Sequence, residues 1–272
     1  MSGSSYSPTP PNMPDVASRG DNRGITIQRV GIRDLHLPVM VLEKSGRLAR
    51  LLGIYDASVE LPKTERGTHM SRLVEVLAHW SRKQVSQLEM ELMLREIAQT
   101  AGARAASLTL AFKYFLEKTA PASGIRTPLD YDCRFEATLD GDSYRFTLVT
   151  TVPIITLCPC SREISERGAH SQRALLTVQV RTAPGVFLWL EDLIPLVEKQ
   201  GSCDIHPVLK RSDEKVVTET SYDNPKFVED VVRDTIIAVR QVPGVEWLRA
   251  ECESMESIHN HLAYAMAESE AR

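Results

Sequence analysis

Residues 131–148 constrain the fold more than any other stretch of this chain. Tyr131, Cys133, Phe135, Ala137 and Leu139 alternate with Asp132, Arg134, Glu136 and Thr138. Successive side chains of an extended chain point to opposite faces, so this segment has one apolar face and one polar face. Asp140-Gly141 then supplies a turn, and Tyr144, Phe146 and Leu148 resume the apolar phase on the way back. Two alternating runs joined by such a turn read as a long antiparallel hairpin.

The same period recurs elsewhere. Leu108, Leu110, Phe112, Tyr114 and Leu116 predict one strand, and Ala174, Leu176, Val178 and Val180 predict another. Val245–Cys252 reads as a final strand, and a docked strand is expected to start near Ile25. Between these lie helical patterns. Thr68–Trp80 places Leu73, Val74, Leu77 and Ala78 on one face, with Thr68 able to cap it. Ser86 and Glu89 form a capping-box pattern for a helix running to about Thr100, which Gly102 ends. A short helix is expected over Glu191–Gln200, with Pro195 tolerable only in its first turn. Asn224 as cap and Pro225 at the first helical position announce another, with Phe227, Val228, Val231, Val232, Thr235 and Val239 on its buried face. Helices inserted in pairs among antiparallel strands indicate an α+β fold rather than a doubly wound parallel sheet.

Composition narrows the class. The chain has 272 residues, enough for one large domain or two small ones, and its 43% hydrophobic content supports a core without staples. No apolar run approaches the ~18–20 residues of a spanning helix, so an integral membrane protein is not expected. The net charge of -4 is spread along the chain, which argues against a nucleic-acid binder. The five cysteines (133, 158, 160, 203 and 252) are odd in number and irregular in spacing, and no signal-peptide pattern precedes them. Reduced thiols in a cytoplasmic protein are the economical reading. Residues 1–23 are rich in Ser, Pro, Gly and Asn and read as a disordered tail. Residues 24–272 read as one unit with approximate halves 24–153 and 154–272, without a residue-level repeat.

The densest chemical cluster is the stretch from Thr156 to His170, in which Cys158, Pro159 and Cys160 follow an apolar strand. Two cysteines flanking one residue point apart when extended, so one of them is expected to share a site with the histidine. A thiolate and a neutral imidazole are good ligands for a transition metal. The competing reading is a turn with one buried thiol and an exposed histidine. Carboxylates gather at Asp213, Glu214 and Glu219, at Glu229 and Asp230, and at Glu251, Glu253 and Glu256. Most such runs are solvated faces. Glu256 differs because it follows a strand, and a carboxylate there can accept two hydrogen bonds from an amidine-like edge such as guanine presents. His69 and Arg72 sit just before the first helix, where a glycine turn and a cap explain them equally well. Lys210 and Arg211 are either phosphate ligands or surface charge. There is no GxxxxGK[ST] phosphate loop.

Four blocks in this order resemble a known family: GTHMSR (67–72), LCPCSREISERGAHSQR (157–173), KRSDEKVVTETSYDNPKFVED (210–230) and ESIHNH (256–261). The chain is similar to GTP cyclohydrolase of type IB, departing from its pattern at Arg167 and Ser171. The resemblance implies a tandem tunnelling fold, a homotetramer with active sites at interfaces, and conversion of GTP and water to 7,8-dihydroneopterin triphosphate and formate, the step that opens folate synthesis. It implies that Cys158 and His170 are metal ligands, with Glu214, or else Glu219, as the carboxylate ligand. It also implies that Glu229 and Glu256 anchor substrate or move protons. The divalent ion implied is Mn2+, Zn2+ or Fe2+. On this view Glu256 or Glu229 holds the guanine edge, while His69, Arg72, Lys210 and Arg211 contact the substrate and its triphosphate. Two rivals make different predictions: a nitrile reductase of the queuosine pathway, using Cys158 as nucleophile with NADPH, and a non-catalytic metal- or purine-binding protein.

Overall fold

The computed structural model describes residues 14–270. The 131–148 hairpin is present as β5 (Arg126–Asp140) and β6 (Ser143–Leu157), joined where Asp140 faces Ser143. Gly141 has φ of 59°, a left-handed conformation that a glycine adopts without steric cost. Six further long strands extend this pair: β1 (Ile27–Leu42), β2 (Leu48–Leu61), β4 (Ala105–Thr119), β7 (Ser171–Thr182), β9 (Val245–Met255) and β10 (Leu262–Glu270). With the two-residue strands β3 (Gln84–Val85) and β8 (Cys203–Asp204) they make one ten-stranded sheet. Its order is β10-β9-β7-β6-β5-β4-β2-β1-β3, with β8 beside β6, and every pair of long strands is antiparallel.

Helices α1 (Met70–Trp80) and α2 (Gln87–Ala101) join β2 to β4. Helices α4 (Leu190–Glu198), α5 (Arg211–Asp223) and α6 (Val228–Arg240) join β7 to β9, and the one-turn α3 (Pro159–Ile164) follows β6. Each half is therefore two strands, a helical connection and two strands. The element pattern divides at the Gly141 turn; the expected division at 153/154 falls inside β6. Alternate residues of the central strands, such as Leu108 and Leu110 of β4 and Leu176 and Val178 of β7, meet Leu73 and Leu77 of α1, Met90 and Leu94 of α2 and Val231 of α6 in one continuous core. Burying alternate strand positions against helical stripes removes both apolar faces from water, the main favourable contribution to the fold.

Several local expectations need correction. Ser86 caps α2 through a hydrogen bond accepted from Leu88 N, and Gly102 ends that helix at φ 64°, as its sequence indicates. By contrast the N-cap of α1 is His69 and not Thr68, and Val76 and Trp80 replace Val74 and Ala78 among its buried residues. Pro195 lies in the second turn of α4, past the four N–H groups that lack helical partners anyway. Asn224 ends α5 instead of opening α6, whose N-cap is Phe227. The Asn224 amide donates to the Gly201 and Ser202 carbonyls. Of the stretch read as a tail, residues 1–13 lie outside those described. Residues 17–21 run beside 64–67, with Asp21 N donating to Thr64 O and Gly67 N to Ala17 O. Main-chain pairing of this kind needs no apolar side chain, so composition does not signal it.

Helix α5 is tied to the sheet by Asp213, which is fully buried. Its Oδ1 accepts from Ala122 N and Ser123 N, both at 2.7 Å, and its Oδ2 accepts from Lys210 N at 2.8 Å. Burial alone pushes this carboxyl up, but the Ser123, Lys210 and Ala122 hydrogen bonds outweigh it and hold the group well below the usual carboxylate range. A depressed value stabilises the fold above the unfolded carboxyl's value of 3.8 and ceases to do so as pH falls through the folded one. Asp213→Asn is expected to be less stable than the parent at pH 7, with the gap closing below that value. Urea unfolding at pH 7 and pH 3 measures both.

Candidate active site

The register of three adjacent strands builds the site. In β6 the helix-facing phase runs through Val152, Ile154 and Thr156 and continues to Cys158. In β7 it runs back from Val178, Leu176 and Ala174 to Gln172 and, just before the strand, His170. In β9 it runs through Leu248, Ala250, Cys252 and Ser254 to Glu256. Thr156 pairs with Gln172, Ile154 with Ala174, and Ala174 with Ser254, so the three phases are aligned. At one end of the sheet the apolar core thus passes directly into polar groups on the same face. Thr156 and Ser254 are buried there, their hydroxyls 3.1 Å apart.

Gln172 organises the cluster. Its Oε1 is 2.9 Å from His170 Nδ1, and its Nε2 donates to Thr156 Oγ1 at 3.3 Å and to Glu256 Oε1 at 3.2 Å. An amide oxygen accepts only, so this arrangement puts the imidazole proton on Nδ1 and leaves the Nε2 lone pair for a ligand. Glu256 Oε1 also accepts from Ser254 Oγ at 3.2 Å, and Glu256 Oε2 is 3.9 Å from His170 Nδ1. Both side chains are largely shielded, His170 14% and Glu256 13% exposed, which strengthens interactions between them.

Cys158 is brought to His170 by the main chain, its N–H donating to the His170 carbonyl at 3.1 Å. It is also the N-cap of α3, where its Sγ accepts from Ser161 N at 3.4 Å. Ser161 Oγ accepts from His170 N at 3.1 Å, which closes the loop between the two residues. Cys160, two residues on, is exposed. From α6 comes Glu229, exposed at the first helical turn and placed by Lys226, whose N–H donates to Leu157 O at 3.1 Å. Cys158, His170, Gln172, Glu229 and Glu256, with His259, His261 and Tyr264, line a cavity of about 300 Å³. The His259 and His261 rings stack with centroids 5.0 Å apart.

The other candidates lie elsewhere. Lys210, Arg211 and Glu214 are exposed at the start of α5, and Glu219 is exposed later on that helix. His69 and Arg72 line a separate cavity of about 230 Å³ at the start of α1. Among the described residues no group of three metal-ligating side chains is assembled. The donors that do converge suit a divalent transition metal: a half-buried thiol and an imidazole whose far nitrogen is already held by Gln172. Glu214 does not join them within one chain. Sequence reasoning overlooked Gln172, Ser254 and Lys226. A polar residue in the buried phase of a strand is the signal that marks the first two.

Comparison with known proteins gives the chain a family. The family model described as Type I GTP cyclohydrolase folE2 matches residues 13–265. GTP cyclohydrolase FolE2 of Aromatoleum aromaticum is 43% identical over 261 residues, covering 96% of this chain and 95% of that protein. The FolE2 of Kosmotoga olearia is 45% identical over 256 residues, covering 94% and 98%. Among solved structures, uricase from Arthrobacter globiformis superposes with a TM-score of 0.51 at 7% identity, covering 89% of this chain and 92% of that one. Urate oxidase from Bacillus sp. TB-90 gives 0.52 at 8% identity, covering 90% and 100%. At such identity the likeness is one of fold, and it is the tandem tunnelling fold. Matched across nearly its whole length by both the family model and the curated relatives, the chain belongs to the type I GTP cyclohydrolase FolE2 family.

Proposed function

We propose that this chain is a GTP cyclohydrolase I, converting GTP and water to 7,8-dihydroneopterin triphosphate and formate at the head of folate synthesis. The observation that best supports this reading is the convergence of Cys158, His170 and Glu256 on one rim, in a chain that belongs to the FolE2 family. The reaction adds water at C8 of guanine and then releases that carbon as formate. A divalent ion such as Mn2+, Zn2+ or Fe2+, when bound by Cys158 and His170, supplies Lewis acidity that lowers the pKa of water to ~7.

The chain's own residues do the rest. Gln172 fixes the His170 ring so that Nε2 faces the ligand. Glu256, with Oε1 occupied by Gln172 and Ser254, has Oε2 available beside His170 to take and return a proton. Glu229 stands on the cavity rim, where both of its oxygens can accept from the N1–H and 2-amino group of guanine. The triphosphate is neutralised by Arg72, Lys210 and Arg211, with His69 beside them. None of these lines the Cys158 cavity, so a second copy of the chain is needed to bring them to it, in keeping with a homotetramer. Glu214, or else Glu219, would supply the carboxylate ligand alongside Cys158 and His170. The enzyme works in the cytoplasm.

The test is to incubate the purified protein with GTP and divalent metal, oxidise, and read neopterin fluorescence alongside formate. Neopterin and formate in equal amounts are expected. NADPH oxidation with a nitrile substrate and no metal would establish the reductase instead. GTP bound but unchanged would indicate a binding protein.

A further inference from the structure

The segment before β1 is attached to the chain that leads into the GTHMSR block. Arg66 N donates to Arg19 O at 3.0 Å, Asp21 N donates to Thr64 O at 2.9 Å, and Gly20 bridges Glu65. This ladder carries two side chains onto one imidazole. Asp15 Oδ2 lies 3.1 Å and Ser18 Oγ 3.3 Å from His69 Nε2, and Ser18 Oγ donates to Asp15 Oδ2 at 2.6 Å. The Asp15 carboxyl sits below the ordinary range because Ser18 donates to it from both its hydroxyl and its backbone. It therefore faces His69 as a carboxylate.

His69 is also the N-cap of α1, the position from which a side chain commonly accepts a bond from the helix; here it makes no such bond. Its ring is turned to the N-terminal segment instead, on the wall of the 230 Å³ cavity that Ser18, Gly67, Thr68 and Arg72 also line. A carboxylate on Nε2 places a proton there and makes Nδ1 the nitrogen that meets a ligand.

We propose that Asp15, steadied by Ser18, is a positioning residue that sets the tautomer and orientation of His69 for contact with GTP. This rests on the reading of His69 as a substrate-contacting residue. Asp15 does not touch substrate; it acts through the imidazole, as carboxylates act on histidines that serve as ligands.

The full-length chain carries the test. Asp15→Asn keeps the shape of the side chain but removes its charge, and Ser18→Ala removes the steadying hydroxyl. Asp15→Asn is expected to lower kcat/KM for GTP by about 10-fold or more, chiefly through KM, with an unchanged circular dichroism spectrum and folding midpoint. Asp15→Glu should recover part of the loss. The decisive comparison is with His69→Ala, because on that background Asp15→Asn should cost nothing further. Wild-type kinetics for Asp15→Asn beside an impaired His69→Ala would overturn the proposal and leave the reading of His69 standing. Additive losses in the double variant would do the same, since Asp15 would then act independently. If His69→Ala itself keeps wild-type kcat and KM, His69 does not contact GTP, and both the reading and the proposal fall.

Discussion

Cys158→Ala is expected to abolish formate release from GTP and to lose bound metal while the protein stays folded. The fold survives because the interactions that place residue 158 are mostly main-chain: its N–H bonds His170 O and its carbonyl accepts from Arg162 N and Ser161 Oγ. The side chain is half-buried at a cavity rim, so its loss opens no sealed void. What disappears is an anionic sulfur donor beside His170. Removing a group that only orients a metal ligand costs ~10–100-fold, and removing the ligand itself should cost considerably more. Cys160→Ala should be mild, because that thiol is exposed on α3 and does not line the cavity. Formate, metal content by mass spectrometry and circular dichroism on both variants decide the matter. A folded Cys158→Ala enzyme with normal metal and turnover would show that the sulfur is not a ligand. An inactive Cys160→Ala beside an active Cys158→Ala would transfer the role to the other thiol.

The largest stability loss is expected from Lys118→Met. Lys118 Nζ lies 2.8 Å from Glu198 Oε2 and 2.7 Å from Asp204 Oδ2, and Tyr131 OH donates to Glu198 Oε1 at 2.7 Å. Lys118 is 11% and Glu198 5% exposed, so the cluster that joins β4, β5, β8 and α4 has this pair largely out of water, with the Asp204 carboxylate 36% exposed at its margin. Taking one partner from a buried pair leaves the other charge uncompensated, at a cost of ~3–5 kcal/mol. For a chain of this size that corresponds to a fall in Tm of roughly 10 °C. Burial already pushes the Glu198 carboxyl up from its ordinary 4.5, and without Lys118 it should rise further. The folded state then holds a proton that the unfolded chain has released, so the deficit of Lys118→Met should grow as pH rises above that ordinary value. Lys118→Met/Glu198→Met should regain much of the loss, since an apolar pair can replace a buried ion pair. Thermal melts of the three proteins at pH 5 and pH 8 test each part. A single variant as stable as the parent at both pH values would mean that the cluster adds nothing to stability.

The elements legible in the sequence are those in which one face is apolar. The β5–β6 hairpin, β4, β7 and α2 carry alternation, helical stripes or caps that no other conformation would use as well. Helix α5 has no such stripe: in RSDEKVVTETSYD only Asp213 and Ser221 are buried, so a polar sequence folds there because Asp213 is anchored from a distant loop. Strand β10 was equally hidden, since none of LAYAMAESE is fully buried at the edge of the sheet. Asn224-Pro225 has the composition of a helix start, yet the amide is used by Gly201 and Ser202, and the helix begins three residues later at Val228. In the site, the proximity of Cys158, His170 and Glu256 follows from strand phase once the pairing of β6, β7 and β9 is known. The separation of Glu214, His69 and Arg72 from them does not, because spacing along a chain says nothing about where the fold places the starts of α5 and α1.

That shared phase limits how the length of this chain can change. Thr156, Cys158, His170, Gln172, Ser254 and Glu256 all face the helices because each lies an even number of residues from a core position such as Ile154, Ala174 or Ala250. One residue added to β6 between Ile154 and Cys158 would turn the thiol to the opposite face while leaving the core behind it in place. The same holds between His170 and Ala174 and between Ala250 and Glu256. Relatives can therefore exchange side chains along these three stretches, but a single-residue insertion or deletion there must be offset by a bulge or by a second change that restores parity. Gly141, Gly46 and the turn at Gly185 lie outside those stretches and are free to vary in length.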